Sequence, residues 1–229
     1  MKVFHERSWS GVSPASLLPV LACAAVLFAA ASSAAQEKTS PARLTYTKVL
    51  RGSVPEYLSI SVDSNGHGTY EGRKLDDPPS PRHLKLLHST TDRLFELAAE
   101  LNHFRSVELE SHKKVANLGQ KSLSYESEAE KNRVEFNYTL RREAQELVDY
   151  FEKIASVEQH ISMLEYAIKY DHLSLPKELL QIQIDLDNKA LADAELMVPA
   201  LEEIARNPRF LHLAQVRAQN ILQRLQNNN

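Results

Sequence analysis

The sequence predicts an α+β chain: a small antiparallel sheet (two hairpins plus a helix on one face) followed by an all-helical C-terminal bundle. Three observations predict it. Apolar residues alternate with period two on either side of Asp63-Ser64-Asn65-Gly66 and again across residues 123–138, the pattern of strands joined by tight turns. From Leu140 to the end the spacing becomes three and four, with prolines only where helices can open. The chain of 229 residues is 43% hydrophobic and 25% charged, ordinary values for a packed protein, which exclude collagen, a coiled-coil rod and wholesale disorder.

Each element has its own justification. Leu44, Tyr46 and Leu50 fall on one face of a first strand, with Thr45 and Thr47 on the other. Arg51-Gly52-Ser53-Val54-Pro55 interrupts the alternation, and Leu58, Ile60 and Val62 resume it against Ser59 and Ser61. Asn65 and Gly66 accept the positive φ of a hairpin turn, so a returning strand is expected from Gly68 to Leu75. Residues 76–81 hold Pro78, Pro79 and Pro81, which lack an N–H for a ladder, and read as a loop. Ser89-Thr90-Thr91-Asp92 offers N-caps for a helix to about residue 102, carrying Leu94, Leu97, Leu101 and Phe104 at helical spacing. Residues 105–120 are polar, with a turn at Asn117-Leu118-Gly119. Leu123 and Tyr125, then Val134, Phe136 and Tyr138, make a second hairpin about a turn near residues 129–132.

In the helical part, Leu147, Phe151 and Ile154 form one stripe. Ser156-Val157-Glu158-Gln159 resembles a capping box, so a second helix or a bend is expected there, carrying Ile161, Leu164 and Ile168. Pro176 opens a helix to about Asp187, and Pro199 a short one through Ile204. Asn207-Pro208 starts the last, whose stripe is Phe210, Leu211, Ala214, Ala218, Ile221, Leu222 and Leu225. The expected organisation is a signal peptide over 1–35, a disordered lead over 36–42, an α+β domain over 43–155 and a helical part over 156–229.

The N-terminal segment reads as an address. Residues 17–31, LLPVLACAAVLFAAA, carry no charge; Lys2 and Arg7 precede them and Ser32-Ser33-Ala34-Ala35 follows. A charged lead, an apolar run and small residues at −3 and −1 are the parts of a secretory signal peptide, cut here between Ala35 and Gln36. The run is shorter than the roughly 20 residues that span a bilayer; the alternative is an uncleaved anchor. Cys23 suits lipidation badly, because Leu21 is bulky and the apolar run continues past the cysteine. Removal of residues 1–35 takes away the single Cys and the single Trp. The mature chain then has no membrane span, and export to the periplasm or the extracellular space is expected. Without disulfides, its stability rests on its core.

Residues 43–155 resemble an uncharacterised family of bacterial exported proteins. The resemblance rests on a first strand, Gly52-Ser53-Val54-Pro55-Glu56-Tyr57, an alternating strand over 58–62, and Gly68-Thr69-Tyr70-Glu71-Gly72. It implies a fold and an envelope location, and no activity. Members often carry cysteines around the Gly-x-x-Pro turn, where this chain has Arg51 and Val54, so any role of those cysteines is absent. The motif residues have structural explanations: Gly52 permits a positive φ, Pro55 ends one strand and protects the edge of the next, and Tyr57 and Tyr70 pair across the hairpin, with Gly72 nearby. The alternative is a ligand-contacting loop beside Pro55.

Chemistry is sparse. Lys+Arg 27 against Asp+Glu 30 gives a net charge of -3, so no nucleic-acid partner is expected. His-Glu-x-x-His does not occur, and His83 and His88 straddle an apolar pair, a poor geometry for one metal. Neither a metal site nor any other cofactor is expected. Gly-x-Ser-x-Gly is absent. Carboxylates such as Glu56, Asp63, Glu71 and Glu126 are plentiful without marking a pair, so no catalytic residue is assigned. Asp63 to His67 lacks the glycine and distal glutamate of a calcium loop. Two basic spots are binding candidates for an anionic polymer or lipid head groups: His112, Lys113 and Lys114 in the long loop, and Arg217 and Arg224 on the last helix, with Arg209 nearby. A solvated polar face explains both equally. The expectation is a non-enzymatic exported module that binds an unknown macromolecule of the cell envelope. The alternatives are an envelope hydrolase using carboxylates or histidines, and a metal- or anion-binding protein.

Overall fold

The two alternating hairpins build one sheet. In the computed structural model, which describes residues 40–227, strands β1 (Arg43–Val49), β2 (Tyr57–Asp63), β3 (His67–Arg73), β4 (Arg82–Lys85), β5 (Gln120–Glu126) and β6 (Lys131–Phe136) pair antiparallel in the order β4-β3-β2-β1-β5-β6. The signal segment 1–35, its cut at Ala35–Gln36 and residues 36–39 of the lead lie outside the described residues.

Register follows from the turns. Asp63 Oδ1 accepts the N–H groups of Asn65 (2.9 Å) and His67 (3.0 Å), and Gly66 takes φ 80°, as the hairpin signal requires. Tyr46 therefore lies opposite Ile60 and Leu123, and Ile60 opposite Tyr70. These residues line the buried face with Leu44, Leu58, Val62 and Leu84. The other face is polar: Thr45 pairs with Ser61 at 3.0 Å and Thr47 with Ser122 at 2.6 Å.

Helices α1 (His88–Glu100) and α2 (Arg142–Tyr170) cover the buried face. Tyr46 stacks on Phe151 of α2, ring centroids 5.2 Å apart, an arrangement worth about 1 kcal/mol beyond area burial. Helices α3 (Leu175–Asp187), α4 (Val198–Arg206) and α5 (His212–Asn227) complete the C-terminal part. Two buried clusters meet α2. Its first half gives Ala144, Leu147, Phe151 and Ile154 to the sheet core; its second gives Val157, Leu164 and Ala167 to a core shared with α3, α4 and α5.

Five details differ from expectation. First, α2 runs unbroken through residues 156–159, because the Ser156 hydroxyl turns back onto the Glu152 carbonyl (3.0 Å) instead of capping a new helix. Second, β4 was not expected. Third, Tyr57 and Tyr70 do not pair: Tyr57 lies opposite Arg73, whose guanidinium sits 4.4 Å from its ring centroid, on the other face of the sheet from Tyr70. Fourth, β2 is paired on both sides, so Pro55 protects no edge. Fifth, α5 starts at His212, because Asn207 and Pro208 belong to a separate turn closed by Asn207 Oδ1 on the Arg209 N–H (3.0 Å).

The N-terminus of α1 is capped from afar. None of its own first residues caps it. Asp193, just ahead of α4, instead accepts the Leu87 N–H at 2.7 Å and the Thr90 hydroxyl. It sits at φ 59°, a left-handed conformation that Asp tolerates, and it is buried. Burial raises its carboxyl above the usual range, against the lowering effect of Thr90 and the Leu87 amide.

A candidate binding cleft between the sheet edge and helices α2 and α3

Residues Gln159, Ser162, Met163 and Tyr166 recur at three- and four-residue spacing on one side of α2, which places them in a row. This row faces the β3–β4 edge across a cleft of about 700 Å³. Val54, Pro55, Tyr70, Gly72 and Arg82 form the sheet side, and Lys177 and Glu178 of α3 close the far side. The Pro55 loop is held by Glu56, whose carboxylate accepts the N–H groups of Gly52 (2.8 Å) and Leu75 (3.2 Å); these bonds, Gly52's first, keep that carboxyl below the usual range. Gly52 itself takes φ 81°.

Gly72 is glycine for a reason of space. A Cβ there would lie 2.5 Å from the Tyr70 hydroxyl, so the Tyr70 ring can lie along the strand only over a bare backbone. Tyr70 is 6% exposed, and burial pushes its phenol up to about 12. Arg82 holds the edge strand to α2 through Ser162 Oγ (2.5 Å) and both oxygens of Glu165 (3.0 and 2.9 Å). Behind them Glu158 is 5% exposed, and burial raises its carboxyl against the lowering effect of Arg82.

The cleft continues into a smaller recess of about 320 Å³ beside Ser156, His160, Gln181 and Asp185. His160 Nε2 meets Asp185 Oδ2 at 2.8 Å, and Gln181 donates to Asp185 Oδ1 at 3.0 Å. His160 Nδ1 is buried without a partner.

The Ser162 hydroxyl receives Arg82 and donates to the Glu158 carbonyl at 2.9 Å, so it has no free base beside it. The second nitrogen of His160 is shut off from the cleft. Among the described residues, no three of His, Cys, Asp and Glu converge to hold a metal ion.

The sequence-derived candidates separate into two sets. Pro55, Tyr70 and Gly72 come together on the cleft wall, which is the ligand-contacting alternative for that motif. Gly52 supports the wall from behind, and Tyr57 is on the opposite sheet face. The basic spots do not join the cleft. His112 pairs with Glu108 at 2.5 Å, which raises its pKa, and Lys113 and Lys114 are exposed on the same long segment. Arg217 donates to the Pro176 carbonyl and Arg224 to Asp187 at 2.5 Å; both hold α5 against α3. The row Gln159–Ser162–Met163–Tyr166 escaped sequence reading. Its one signal is that Met163 and Tyr166 fall outside the Ile161–Leu164–Ile168 stripe, an apolar pair with no place in the core.

Among the described residues no helix is long and apolar enough to cross a membrane. Compared with known protein families and with curated proteins, the chain matches no family model and no curated sequence.

Proposed function

We propose that the chain is an exported, non-catalytic binding module that works in the periplasm or outside the cell and holds a segment of another envelope macromolecule in this cleft. The observation that carries the reading is the rim. Val54 is 83% exposed and Tyr166 61% exposed, and they flank a concave site on whose wall Arg82 is held by Ser162 and Glu165. Large apolar side chains left in water around a concavity mark contact surfaces. The signal-peptide pattern of residues 17–35 and the resemblance of the Gly52–Gly72 motif to exported bacterial proteins support the location.

Two experiments test it. A photo-crosslinking amino acid at Tyr166, in the native host, should trap one discrete envelope partner, while the same probe at exposed Leu140 should not. Identical products from both positions, or none from Tyr166, overturn the binding reading. N-terminal sequencing of the protein from the envelope fraction should begin at Gln36. A start at Met1 in the cytoplasm overturns the export reading.

A further inference from the structure

We propose that the end of the helical part where α2 turns into α3 docks on the surface of an anionic lipid bilayer. The contact lies beside the cleft and does not depend on what the cleft holds. Two turns build it: residues 171–174 between α2 and α3, and residues 207–211 between α4 and α5. The His172 ring meets the Phe210 ring edge-on, centroids 4.9 Å apart, and Phe210 is sunk in the C-terminal core. The Ser174 N–H and hydroxyl both donate to the Asp171 carbonyl, at 3.2 and 2.9 Å, which closes the first turn. With Phe210 buried, its neighbours Arg209 and Leu211 are left exposed.

These turns carry large apolar side chains where polar residues ordinarily stand. Leu173 is 77% exposed and Tyr170 64%, and exposed Leu211 joins them around a hollow of about 440 Å³. Lys169 and Arg209 line the same hollow against one carboxylate, Asp171. Elsewhere in the helical part Arg206 is tied to Glu202 at 3.2 Å and Arg224 to Asp187 at 2.5 Å. Lys169 and Arg209 pair with no carboxylate among the described residues, and the Lys169 ammonium lies 5.0 Å from the Tyr170 ring centroid. The tip therefore has a net positive charge and two cationic heads without a counter-ion.

Leucine for the outer acyl region, tyrosine at head-group depth and long cations that reach phosphate over their own methylenes are the parts of an interfacial anchor. A protein partner is gripped most strongly where an aromatic side chain fills a matching pocket. Leucines standing on turns suit a soft surface that needs no matching shape, and the unpaired cations give that surface its sign.

The test uses the full chain with Cys23→Ser, carrying an environment-sensitive fluorophore on a new cysteine at Leu173→Cys or, as control, at Leu140→Cys. Both leucines are exposed. Leu140 precedes α2, whose 29 residues place it about 43 Å from the tip. Vesicles of phosphatidylglycerol and phosphatidylcholine in equal parts should shift the emission at position 173 to the blue and leave position 140 unchanged. Binding should be roughly fivefold tighter than to phosphatidylcholine alone. Lys169→Glu with Arg209→Glu should abolish that preference, and Tyr170→Ser with Leu211→Ser should weaken binding to both vesicles; far-UV circular dichroism checks that these variants fold. A label at position 173 that stays silent on anionic vesicles overturns the inference, as does an equal response to neutral and anionic ones, and neither comparison needs a variant of the tip cations. A preference that survives the double charge reversal also overturns it, since anchoring through residues 17–31 would produce that result. The Tyr166 cross-link judges the cleft separately.

Discussion

Replacing Asp193 by Ala tests how the two halves of the chain depend on each other. The side chain crosses more than a hundred residues of sequence to accept the Leu87 N–H at 2.7 Å and the Thr90 hydroxyl. A hydrogen bond to a charged acceptor is worth about 1.5–3 kcal/mol, and a donor left unsatisfied in a buried setting loses its solvation as well. Alanine at φ 59° adds up to about 1 kcal/mol, since it lacks the short polar side chain that makes Asp tolerant of the left-handed region. Relief from burying the carboxylate offsets part of this. The net expectation is about 3 kcal/mol lost, or roughly 10 °C in Tm for a chain of this size. Asp193→Asn keeps both contacts if its Oδ1 accepts the Leu87 N–H and its Nδ2 donates to a reversed Thr90 hydroxyl, and should lose only about 1 kcal/mol. Urea unfolding followed by far-UV circular dichroism measures all of them, with Thr90→Val and the double variant closing a mutant cycle. If Asp193→Ala unfolds within about 1 kcal/mol of the native chain, or the cycle shows no coupling, the remote cap is not holding α1.

Other perturbations follow from single contacts. Gly68→Ala places a Cβ 1.9 Å from the Ser61 carbonyl oxygen, a backbone atom that cannot turn aside, and should cost more than about 3 kcal/mol or abolish soluble expression. Gly72→Ala meets instead the movable end of Tyr70; it should cost about 1 kcal/mol while displacing the ring from the cleft wall, seen as a changed Met163 methyl shift. Asp185→Ala strands the buried His160 Nε2 and should cost about 2 kcal/mol. His160→Leu strands only a partly exposed carboxylate that keeps Gln181, and should stay within about 1 kcal/mol of the native chain; equal costs would contradict the asymmetry. The pH dependence has two signs. Glu110 accepts the Asn137 amide foremost and is held below its usual range, so its contribution is present above the unfolded pKa and lost as pH falls through the lowered one. Burial raises Glu158; the folded chain binds that proton more tightly, and the stability tied to it fades as pH rises through the raised value. Glu158→Gln should therefore raise Tm at neutral pH and lose that advantage in mild acid, checked by thermal melts across the range.

Much of the scaffold was legible one neighbour at a time. Asp63-Ser64-Asn65-Gly66 announced its turn because the left-handed φ of Gly66 and the Asp63 bonds to Asn65 and His67 are local matters. Pro176 and Pro199 marked helix starts by the same logic. Local reading misled where a side chain had two choices. Ser156 had the look of a cap, yet its hydroxyl returns to Glu152, and burial of both Ile154 and Val157 keeps the helix continuous between the two cores.

The amino-acid order alone determined the α+β class, the alternating face of the sheet and the helical tail, since each depends on the period of apolar residues along a short stretch. The tertiary structure alone decided that Asp193 caps α1, that Arg82 is neutralised by Glu165, and that Pro55, Tyr70 and Gly72 share a wall with Met163 and Tyr166. Those juxtapositions join residues that are eighty or more positions apart in most cases, and no sequence period encodes which distant side chain will meet a given orphan donor or fill a given edge. Sheet order and the path of α2 settle that, and they are properties of the packed chain as a whole.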